Sequence, residues 1–341
     1  MTLTVDFSPN DIVKQIEKTG IKGQHLIFID DYSSTELENI FKTAEMLEPF
    51  WRNRIPLLEG KILCTQFFQP STRTRFSHET AMFRLGGNVI TESNPLVSSA
   101  AAKGESLYDS LRVTSQYADV IVLRHPDEGV IDTIEQLGSD ASPIISGGYG
   151  NVTHPTQGLL DMYTAYRALG GDFKEMTVMI ATPDLSRARS GQSFGLGLAR
   201  MGSKLIYSGT TGLGVPPVIR AKLKAMNANF TEVNDLTIGQ HEEMLADEAV
   251  DLLYLPGCSV KKGDPGRDDF LKKMAEFYFT LEGLQKIKQK SGKTVGLMHS
   301  LPRNEGEFDF AIDASEHELY FKQIGFSVPL RMSLLANICG V

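Results

Sequence analysis

The feature that most constrains this chain is a repeated alternation of short apolar runs with longer amphipathic stretches. Eight runs rich in Val, Ile and Leu have the length and composition of buried β-strands. They are residues 61–68, 88–93, 118–126, 142–148, 175–183, 204–209, 251–256 and 294–302. Helical segments separate them, such as residues 74–87, whose terminal glycines suit a left-handed helix end. Strand alternating with helix predicts parallel sheets that are covered by helices on both faces.

A long helical stretch from about His154 to Leu169 divides these strands into two sets of four. A length of 341 residues is typical of two domains. We therefore predict an α/β protein of two doubly wound parallel-sheet domains, residues 1–153 and 154–325, with the C-terminal helix (326–341) returning to the first domain. Ligands of open parallel sheets bind beyond the C-terminal ends of the strands, so functional residues are expected there.

Composition excludes several classes of function. The net charge is −8 and the pI is about 5.5, which argues against binding to nucleic acid or to an anionic membrane. No stretch reaches the roughly 18 apolar residues of a membrane span, and the N-terminus has no apolar signal run. The three cysteines, Cys64, Cys258 and Cys339, are widely spaced without metal-ligand partners. A cytoplasmic protein without a metal site is expected.

The most informative motif is FFQPSTRTRFSHETAMFRLGG, residues 67–87. A strand ends at Pro70, and the run Ser71, Thr72, Arg73, Thr74 opens a helix. Backbone N–H groups in a first helical turn, together with the positive end of the helix dipole, favour a phosphate group. Hydroxyls and an arginine at the same turn supply further donors. The alternative is an ordinary helix cap with solvated arginines.

Nucleotide binding is weakly supported. The sequence has no GxxxxGK[ST] loop, and its best glycine run, GLGLARMG (195–202), lies within a helical stretch. Close packing of that helix against its neighbours explains those glycines better than a phosphate loop does.

Several motifs in order, STRTR, LGG, KGES, LRHP, HPTQ, DLSRARS and HSLPR, resemble those of the aspartate/ornithine carbamoyltransferase family. The resemblance extends from about Gln24 to Leu335. Threonine in HPTQ and arginine in HSLPR are similar to the aspartate branch. The resemblance implies that residues 1–153 with helix 326–341 bind carbamoyl phosphate, and that residues 154–325 bind an amino-acid acceptor.

The resemblance also implies roles for individual residues. The phosphate of carbamoyl phosphate is held by Ser71, Thr72, Arg73 and Thr74. The carbonyl oxygen faces Thr74, Arg124 and His154. The carbamoyl NH2 group is fixed by Gln157 and by the backbone carbonyls of Leu301 and Pro302. A neighbouring subunit delivers Lys103, with Ser99 beside it, so a homotrimer with shared active sites is expected.

The chemistry of the reaction agrees with these roles. An uncharged amine attacks the carbonyl carbon, an oxyanion develops, and phosphate leaves. Fixed donors stabilise the oxyanion and cationic side chains neutralise the phosphate, so no metal or other cofactor is needed. Each residue also has a simpler explanation by itself: Arg124 as a surface charge, His154 as a helix cap or a satisfied buried histidine, Lys103 as a solvated lysine. Their joint occurrence in family order favours the catalytic roles.

The acceptor side departs from the family pattern. The resemblance places the acceptor's α-carboxylate on Arg189, but the second arginine expected of aspartate enzymes is replaced by Gly257. The nearby Lys261 and Lys262 are candidate substitutes, although lysine lacks the planar fork of arginine. We expect L-aspartate as acceptor, giving N-carbamoyl-L-aspartate for pyrimidine biosynthesis. The alternatives are another amino acid or amine, or a non-catalytic protein that binds carbamoyl phosphate.

Overall fold

The computed structural model of the protein describes residues 7–98, 100–257, 267–304 and 306–341. The chain divides into two compact units. Unit 1 comprises Met1–Thr156 and Gly325–Val341, and unit 2 comprises Gln157–Ile324. The sequence places this boundary between residues 153 and 154, and the units divide between Thr156 and Gln157.

Unit 1 contains a four-stranded parallel sheet. Its strands are β1 (Ile62–Phe67), β2 (Asn88–Glu92), β3 (Val120–His125) and β4 (Ile144–Tyr149), in the order β2-β1-β3-β4. The two central strands and β4 are almost wholly buried, as the near-continuous apolar runs predict. In the register Phe67 pairs with Arg124, so β1 and β3 end side by side.

Helices surround this sheet. They are α1 (Pro9–Thr19), α2 (Ser34–Leu47), α3 (Thr72–Arg84), α4 (Pro95–Ser98), α5 (Leu107–Thr114), α6 (Val130–Leu137) and α14 (Ser327–Cys339), with short 3-10 helices at Ile29–Asp31, Glu48–Phe50, Ala100–Lys103 and Gly138–Asp140. The C-terminal α14 packs against α2 and α3, and the Ser333 hydroxyl donates a hydrogen bond of 2.7 Å to the carbonyl of Ile40. The last helix therefore belongs to unit 1, as predicted.

Unit 2 contains a five-stranded parallel sheet. Its strands are β5 (Thr177–Ala181), β6 (Lys204–Gly209), β7 (Phe230–Asn234), β8 (Leu252–Leu255) and β9 (Gly296–His299), in the order β7-β6-β5-β8-β9. The prediction of two sets of four strands missed β7. This edge strand has no buried residue and carries Thr, Glu and Asn, so it lacks the apolar run by which the other strands are identified.

The helices of unit 2 lie around the five-stranded sheet. They are α7 (Pro155–Leu169, from Gln157 onward), α8 (Arg189–Met201), α9 (Pro217–Ala225), α10 (Ile238–Asp247), α11 (Arg267–Met274), α12 (Leu281–Ser291) and α13 (Tyr320–Gly325), with 3-10 helices at Phe173–Glu175, Leu185–Arg187, Ala275–Phe277 and Phe310–Ala314. The glycine run 195–202 lies in α8 and at its end, where the position of Gly195 leaves no room for a Cβ beside the Tyr207 hydroxyl. Close packing thus accounts for that glycine.

Both units have a parallel sheet with surrounding helices, which confirms the predicted α/β fold class. In each sheet the polar motifs of the sequence follow the C-terminal strand ends. Within the described ranges, no helix is both long and apolar enough to cross a membrane.

Candidate active site

The first turn of α3 directly follows the C-terminal end of β1. Ser71 is the N-cap residue, but its side chain accepts no hydrogen bond from the helix, and the first turn contains no acidic residue. Thr72 and Arg73 are exposed, whereas Thr74 is buried. Because the Ser71 side chain does not bond to the first-turn N–H groups, these groups are left for an anion, which the positive end of the helix attracts. The geometry of the STRTR motif therefore suits a phosphate group better than a plain cap.

Arg124 is a buried cation near the end of β3, next to β1. Its Nη1 donates a hydrogen bond of 2.7 Å to the backbone carbonyl of Gly147 in β4. A buried guanidinium with one edge fixed by the backbone is unlike a solvated surface arginine. Its position at the C-terminal edge of a parallel sheet is the place where ligands of such sheets bind.

His154 lies against Arg124. Its Nε2 is 3.4 Å from Arg124 Nη1, and its Nδ1 is 3.4 Å from the hydroxyl of Thr156. Because arginine only donates hydrogen bonds, the Nε2 atom must present its lone pair to the guanidinium. The proton of the neutral ring is then on Nδ1, facing Thr156, whose hydroxyl is 3.4 Å from the carbonyl of Ser146. The structure thus brings two of the predicted site residues, Arg124 and His154, into direct contact.

A glycine pair that the sequence analysis missed makes room for this contact. A Cβ on Gly148 would lie 3.0 Å from Arg124 Nη1 and 3.4 Å from His154 Cδ2. A Cβ on Gly147 would lie 3.3 Å from the Cβ of Arg124. Gly148 also has φ +112°, which L-residues rarely adopt. The signal in the sequence is two glycines at the end of a buried strand, in SPIISGG.

The lysine loop is not brought to these residues within the described chain. Lys103 ends the 3-10 helix Ala100–Lys103 and its side chain is exposed. Ser99 lies outside the described residues. An exposed lysine on the same unit as Arg124 is compatible with delivery to another subunit, and equally with solvation.

In unit 2, Gln157 lies in the first turn of α7 and contacts a buried carboxylate. Its Nε2 donates a hydrogen bond of 2.8 Å to Oδ1 of Asp161, one turn further along the helix. The Tyr254 hydroxyl, from β8, donates a 2.8 Å hydrogen bond to Oδ2 of Asp161. Asp161 was not identified from the sequence, because nothing in the residues next to an aspartate within a helix indicates that a distant residue such as Tyr254 will contact it.

Leu301 and Pro302 follow the end of β9. The Leu301–Pro302 peptide bond is cis, and Leu301 has a positive φ of 53°. The N–H of Leu301 donates a 2.9 Å hydrogen bond to Nδ1 of His299. His299, the last residue of β9, pairs with Leu255, the last residue of β8. The backbone carbonyls of Leu301 and Pro302 therefore follow a strand that ends beside the end of β8.

Arg189 is the first residue of α8 and is half-buried. Burial lowers the pKa of Arg189 from its ordinary value, although an arginine remains charged. The preceding turn is fixed by Asp184, whose Oδ1 accepts a 3.1 Å hydrogen bond from the N–H of Ser186. A half-buried cation after the end of β5 is a candidate site for a carboxylate.

Gly257 has a conformation that a side chain would oppose. Its φ is +69°, and a Cβ there would lie 3.2 Å from the Oγ of Ser300 and 3.2 Å from Cε1 of His299. The Ser300 hydroxyl donates a 2.6 Å hydrogen bond to the carbonyl of Pro256. The place where the family resemblance leads us to expect an arginine is therefore without a side chain, and a side chain there would be strained and would require Ser300 or His299 to move by a few tenths of an ångström. Lys261 and Lys262 lie outside the described residues.

A buried pair, His299 and Glu307, lies behind this loop. Nε2 of His299 is 3.3 Å from Oε2 of Glu307. Burial acts to raise the pKa of Glu307, but hydrogen bonding and the charge of His299 outweigh it and lower that pKa. Both side chains line a cavity of about 20 Å³, which is enough for one water molecule. In the described part of the chain, no group of three or more His, Cys, Asp or Glu side chains is arranged to hold a metal ion.

The chain is similar to known proteins. Residues 24–167 match the family model of the aspartate/ornithine carbamoyltransferase carbamoyl-P binding domain. A ureidoglycine carbamoyltransferase of Rubrobacter xylanophilus is 44% identical over 326 residues, which are 95% of this chain and 94% of the relative. An aspartate carbamoyltransferase catalytic subunit of Methanocaldococcus jannaschii is 39% identical over 323 residues, 92% of this chain and 97% of the relative.

A solved structure agrees with these relatives. The catalytic subunit of M. jannaschii aspartate transcarbamoylase superimposes with a TM-score of 0.78 at 36% identity, over 93% of this chain and 99% of that chain. The family that the motifs indicate is thereby confirmed, and with it carbamoyl transfer as the type of reaction. The chain belongs to the aspartate/ornithine carbamoyltransferase family.

Proposed function

We propose that this enzyme carbamoylates the amino group of an amino acid that has one carboxylate and a neutral polar arm, with ureidoglycine as the first candidate. The observation that carries the proposal is the glycine at position 257, with its positive φ and its closeness to Ser300. Support also comes from the 44% identity with a relative named ureidoglycine carbamoyltransferase.

Carbamoyl phosphate binds first, to residues of unit 1. The first turn of α3 holds the phosphate through backbone N–H groups, the hydroxyls of Ser71, Thr72 and Thr74, and the guanidinium of Arg73. Arg124 points a buried charge at the carbonyl oxygen. His154 accepts a hydrogen bond from Arg124 and so keeps the guanidinium in place.

The attack then needs little movement of protein groups. The acceptor amine, in its uncharged form, donates its lone pair to the carbonyl carbon, and the carbonyl oxygen becomes an oxyanion. Arg124 and Thr74 stabilise that charge, since fixed donors in a buried site cost no reorganisation during the reaction. Collapse of the intermediate breaks the bond between the carbonyl carbon and the phosphate oxygen, and the proton of the attacking amine passes to the leaving phosphate. Arg73 and a lysine from a neighbouring subunit, Lys103, neutralise the leaving phosphate.

The remaining contacts orient the two substrates. Gln157 and the carbonyls of Leu301 and Pro302 accept hydrogen bonds from the carbamoyl NH2 group. Arg189 pairs with the acceptor's α-carboxylate. A second carboxylate near Gly257 would be buried without a counter-charge, at a cost of several kcal/mol. A ureido arm has N–H donors and a carbonyl acceptor, so the Ser300 hydroxyl and nearby backbone groups can satisfy it without a cation.

L-Aspartate is the second candidate acceptor, with N-carbamoyl-L-aspartate as product and pyrimidine biosynthesis as the pathway. The observations that favour it are the relatives named aspartate carbamoyltransferase and the lysine pair, Lys261 and Lys262, a few residues after Gly257. For either acceptor we propose a cytoplasmic homotrimer in which the exposed Lys103 enters the site of a neighbouring subunit, as the family resemblance implies.

The test is a direct comparison of acceptors. The purified enzyme is incubated with carbamoyl phosphate and ureidoglycine, L-aspartate or L-ornithine, and the ureido product and released phosphate are measured. Ureidoglycine should give diureidoacetate with a kcat/KM at least about a hundredfold above that for aspartate. The reason is that the second carboxylate of aspartate would be buried unpaired at a cost of several kcal/mol, and each 1.4 kcal/mol is a factor of ten. The Arg124→Ala variant controls for contaminating activity. A preference for aspartate would overturn the proposed acceptor.

A further inference from the structure

Asp161 is a buried carboxylate that has no role in carbamoyl transfer as described above. It is fully buried in α7, four residues after Gln157. Three side-chain donors surround it: the amide of Gln157, the phenol of Tyr254 and the amide of Gln323. A buried carboxylate with several donors is held in place as well as satisfied, so its position is fixed by the structure.

The chemistry of a carboxylate determines which end of the Gln157 amide faces it. An ionised carboxylate only accepts hydrogen bonds, so the NH2 end of Gln157 must turn towards Asp161, as its 2.8 Å contact shows. The carbonyl oxygen of Gln157 is then the end that faces away from Asp161. An amide oxygen is the group that a carbamoyl NH2 needs, whereas the NH2 end of Gln157 would repel it.

The other contacts of Asp161 prevent it from turning with Gln157. The Tyr254 hydroxyl is 2.8 Å from Oδ2, and burial together with the charge of Asp161 raises the pKa of Tyr254, so the phenol keeps its proton and donates. Helix α7 packs closely against α8 at Gly158, where a Cβ would lie 2.9 Å from the backbone of Ser193. This close contact leaves α7 no room to move towards α8. Asp161 is therefore a rigid reference point for Gln157.

We propose that Asp161 is a positioning residue that makes the enzyme select carbamoyl phosphate over acyl phosphates without an NH2 group. It does so by holding the Gln157 amide with its oxygen towards the carbamoyl nitrogen. The inference rests on the proposed function, in which Gln157 contacts the carbamoyl group. Acetyl phosphate is the matched probe, because a methyl group replaces the NH2 at nearly the same size.

The experiment measures kcat/KM for carbamoyl phosphate and for acetyl phosphate with the same acceptor. Asp161→Asn keeps the shape but offers both a donor and an acceptor, so Gln157 can reverse. We expect the ratio of the two constants to fall at least about tenfold, mostly through loss of activity with carbamoyl phosphate. Thr164→Val is the control, since within the described ranges the Thr164 hydroxyl donates to the carbonyl of Leu160 in the same helix and not to Asp161 or Gln157. Its ratio should not change.

A second pair of variants separates positioning from general damage. In a Gln157→Leu background, Asp161→Asn should leave the ratio unchanged, because the group through which Asp161 acts is gone. Tyr254→Phe removes one donor to Asp161 and serves if Asp161→Asn does not fold; its ratio should fall about threefold or more. An equal loss with both acyl phosphates in an active Asp161→Asn or Tyr254→Phe enzyme would overturn the inference alone. A wild-type enzyme that carbamoylates no amine would overturn the proposed function, and the inference with it.

Discussion

Replacing Gly148 by alanine tests whether Arg124 and His154 depend on the glycine between them. At φ +112° an alanine is strained, and its Cβ would lie 3.0 Å from Nη1 of Arg124 and 3.4 Å from Cδ2 of His154. Ordinary contacts of a Cβ are 3.4–4 Å, so the guanidinium must move by several tenths of an ångström. The 2.7 Å hydrogen bond from Arg124 to Gly147 opposes that movement.

The expected losses differ for stability and for catalysis. An L-residue in a sparsely populated backbone region destabilises the folded state by about 1–3 kcal/mol. Replacing glycine by alanine also lowers the conformational entropy of the unfolded chain, which offsets up to about 1 kcal/mol of that loss. A net loss of about 1–2 kcal/mol lowers the Tm by roughly 2–8 °C. Displacing a catalytic group by a fraction of an ångström, in contrast, lowers kcat by about 10- to 100-fold. Catalysis should therefore suffer far more than folding.

Gly138→Ala is the matched control, because Gly138 also has a positive φ (58°), lies in the same unit, and has nothing within 4 Å of the position that a Cβ would take. It should lose stability and keep its activity. The assay is steady-state formation of ureido product, with thermal unfolding of the same preparations. A folded Gly148→Ala enzyme with the kcat of the wild type would refute the role of Gly148 in placing Arg124.

Three further outcomes are expected. Arg73→Ala should raise the KM for carbamoyl phosphate by about 10- to 150-fold, and Arg124→Ala should lower kcat by about 10²–10³; steady-state kinetics unaltered in both would remove these roles. Mixing inactive Lys103→Ala with inactive Arg124→Ala should restore part of the activity after subunit exchange, and no recovery despite proven exchange would contradict shared sites. Burial and the charge of Arg331 lower the pKa of His78 to about 3, so the folded protein keeps this side chain neutral. The free energy of unfolding is therefore unaffected by His78 above pH 6.5, and it decreases as the pH falls from 6.5 towards 3. Urea unfolding should show a slope of up to about 1.4 kcal/mol per pH unit in that range, which His78→Gln makes shallower.

The fold was largely predictable because most of its strands are buried on both faces. Such strands appear in the sequence as continuous apolar runs, and seven of the nine described strands are of this kind. The edge strand β2 is largely exposed but keeps the Val-Ile pair that identifies it. Phe230–Asn234 also lies at a sheet edge, and its composition resembles a loop. Its pairing with β6 depends on a neighbour distant in sequence, which no local pattern encodes.

The site was predictable only where its residues lie in motifs at strand ends. Arg124 and His154 are found in this way, and the structure brings them together. Gly148 and Asp161 are not, because the roles that we propose for them depend on what packs against them in three dimensions. A glycine or an aspartate is recognisable as necessary only when the guanidinium or the amide beside it is known.

The acceptor side shows why one substitution cannot be judged alone. Glycine at position 257 lacks the charge that the family resemblance leads us to expect there, and it also has φ +69° and lies against Ser300. Ser300 in turn donates to the carbonyl of Pro256, which fixes the same short segment from the other side. Placing an arginine on this backbone would introduce strain and a contact of 3.2 Å between its Cβ and the Ser300 hydroxyl. We therefore expect acceptor specificity to depend on the segment's conformation together with Ser300, and Gly257→Arg by itself should not make aspartate a good substrate.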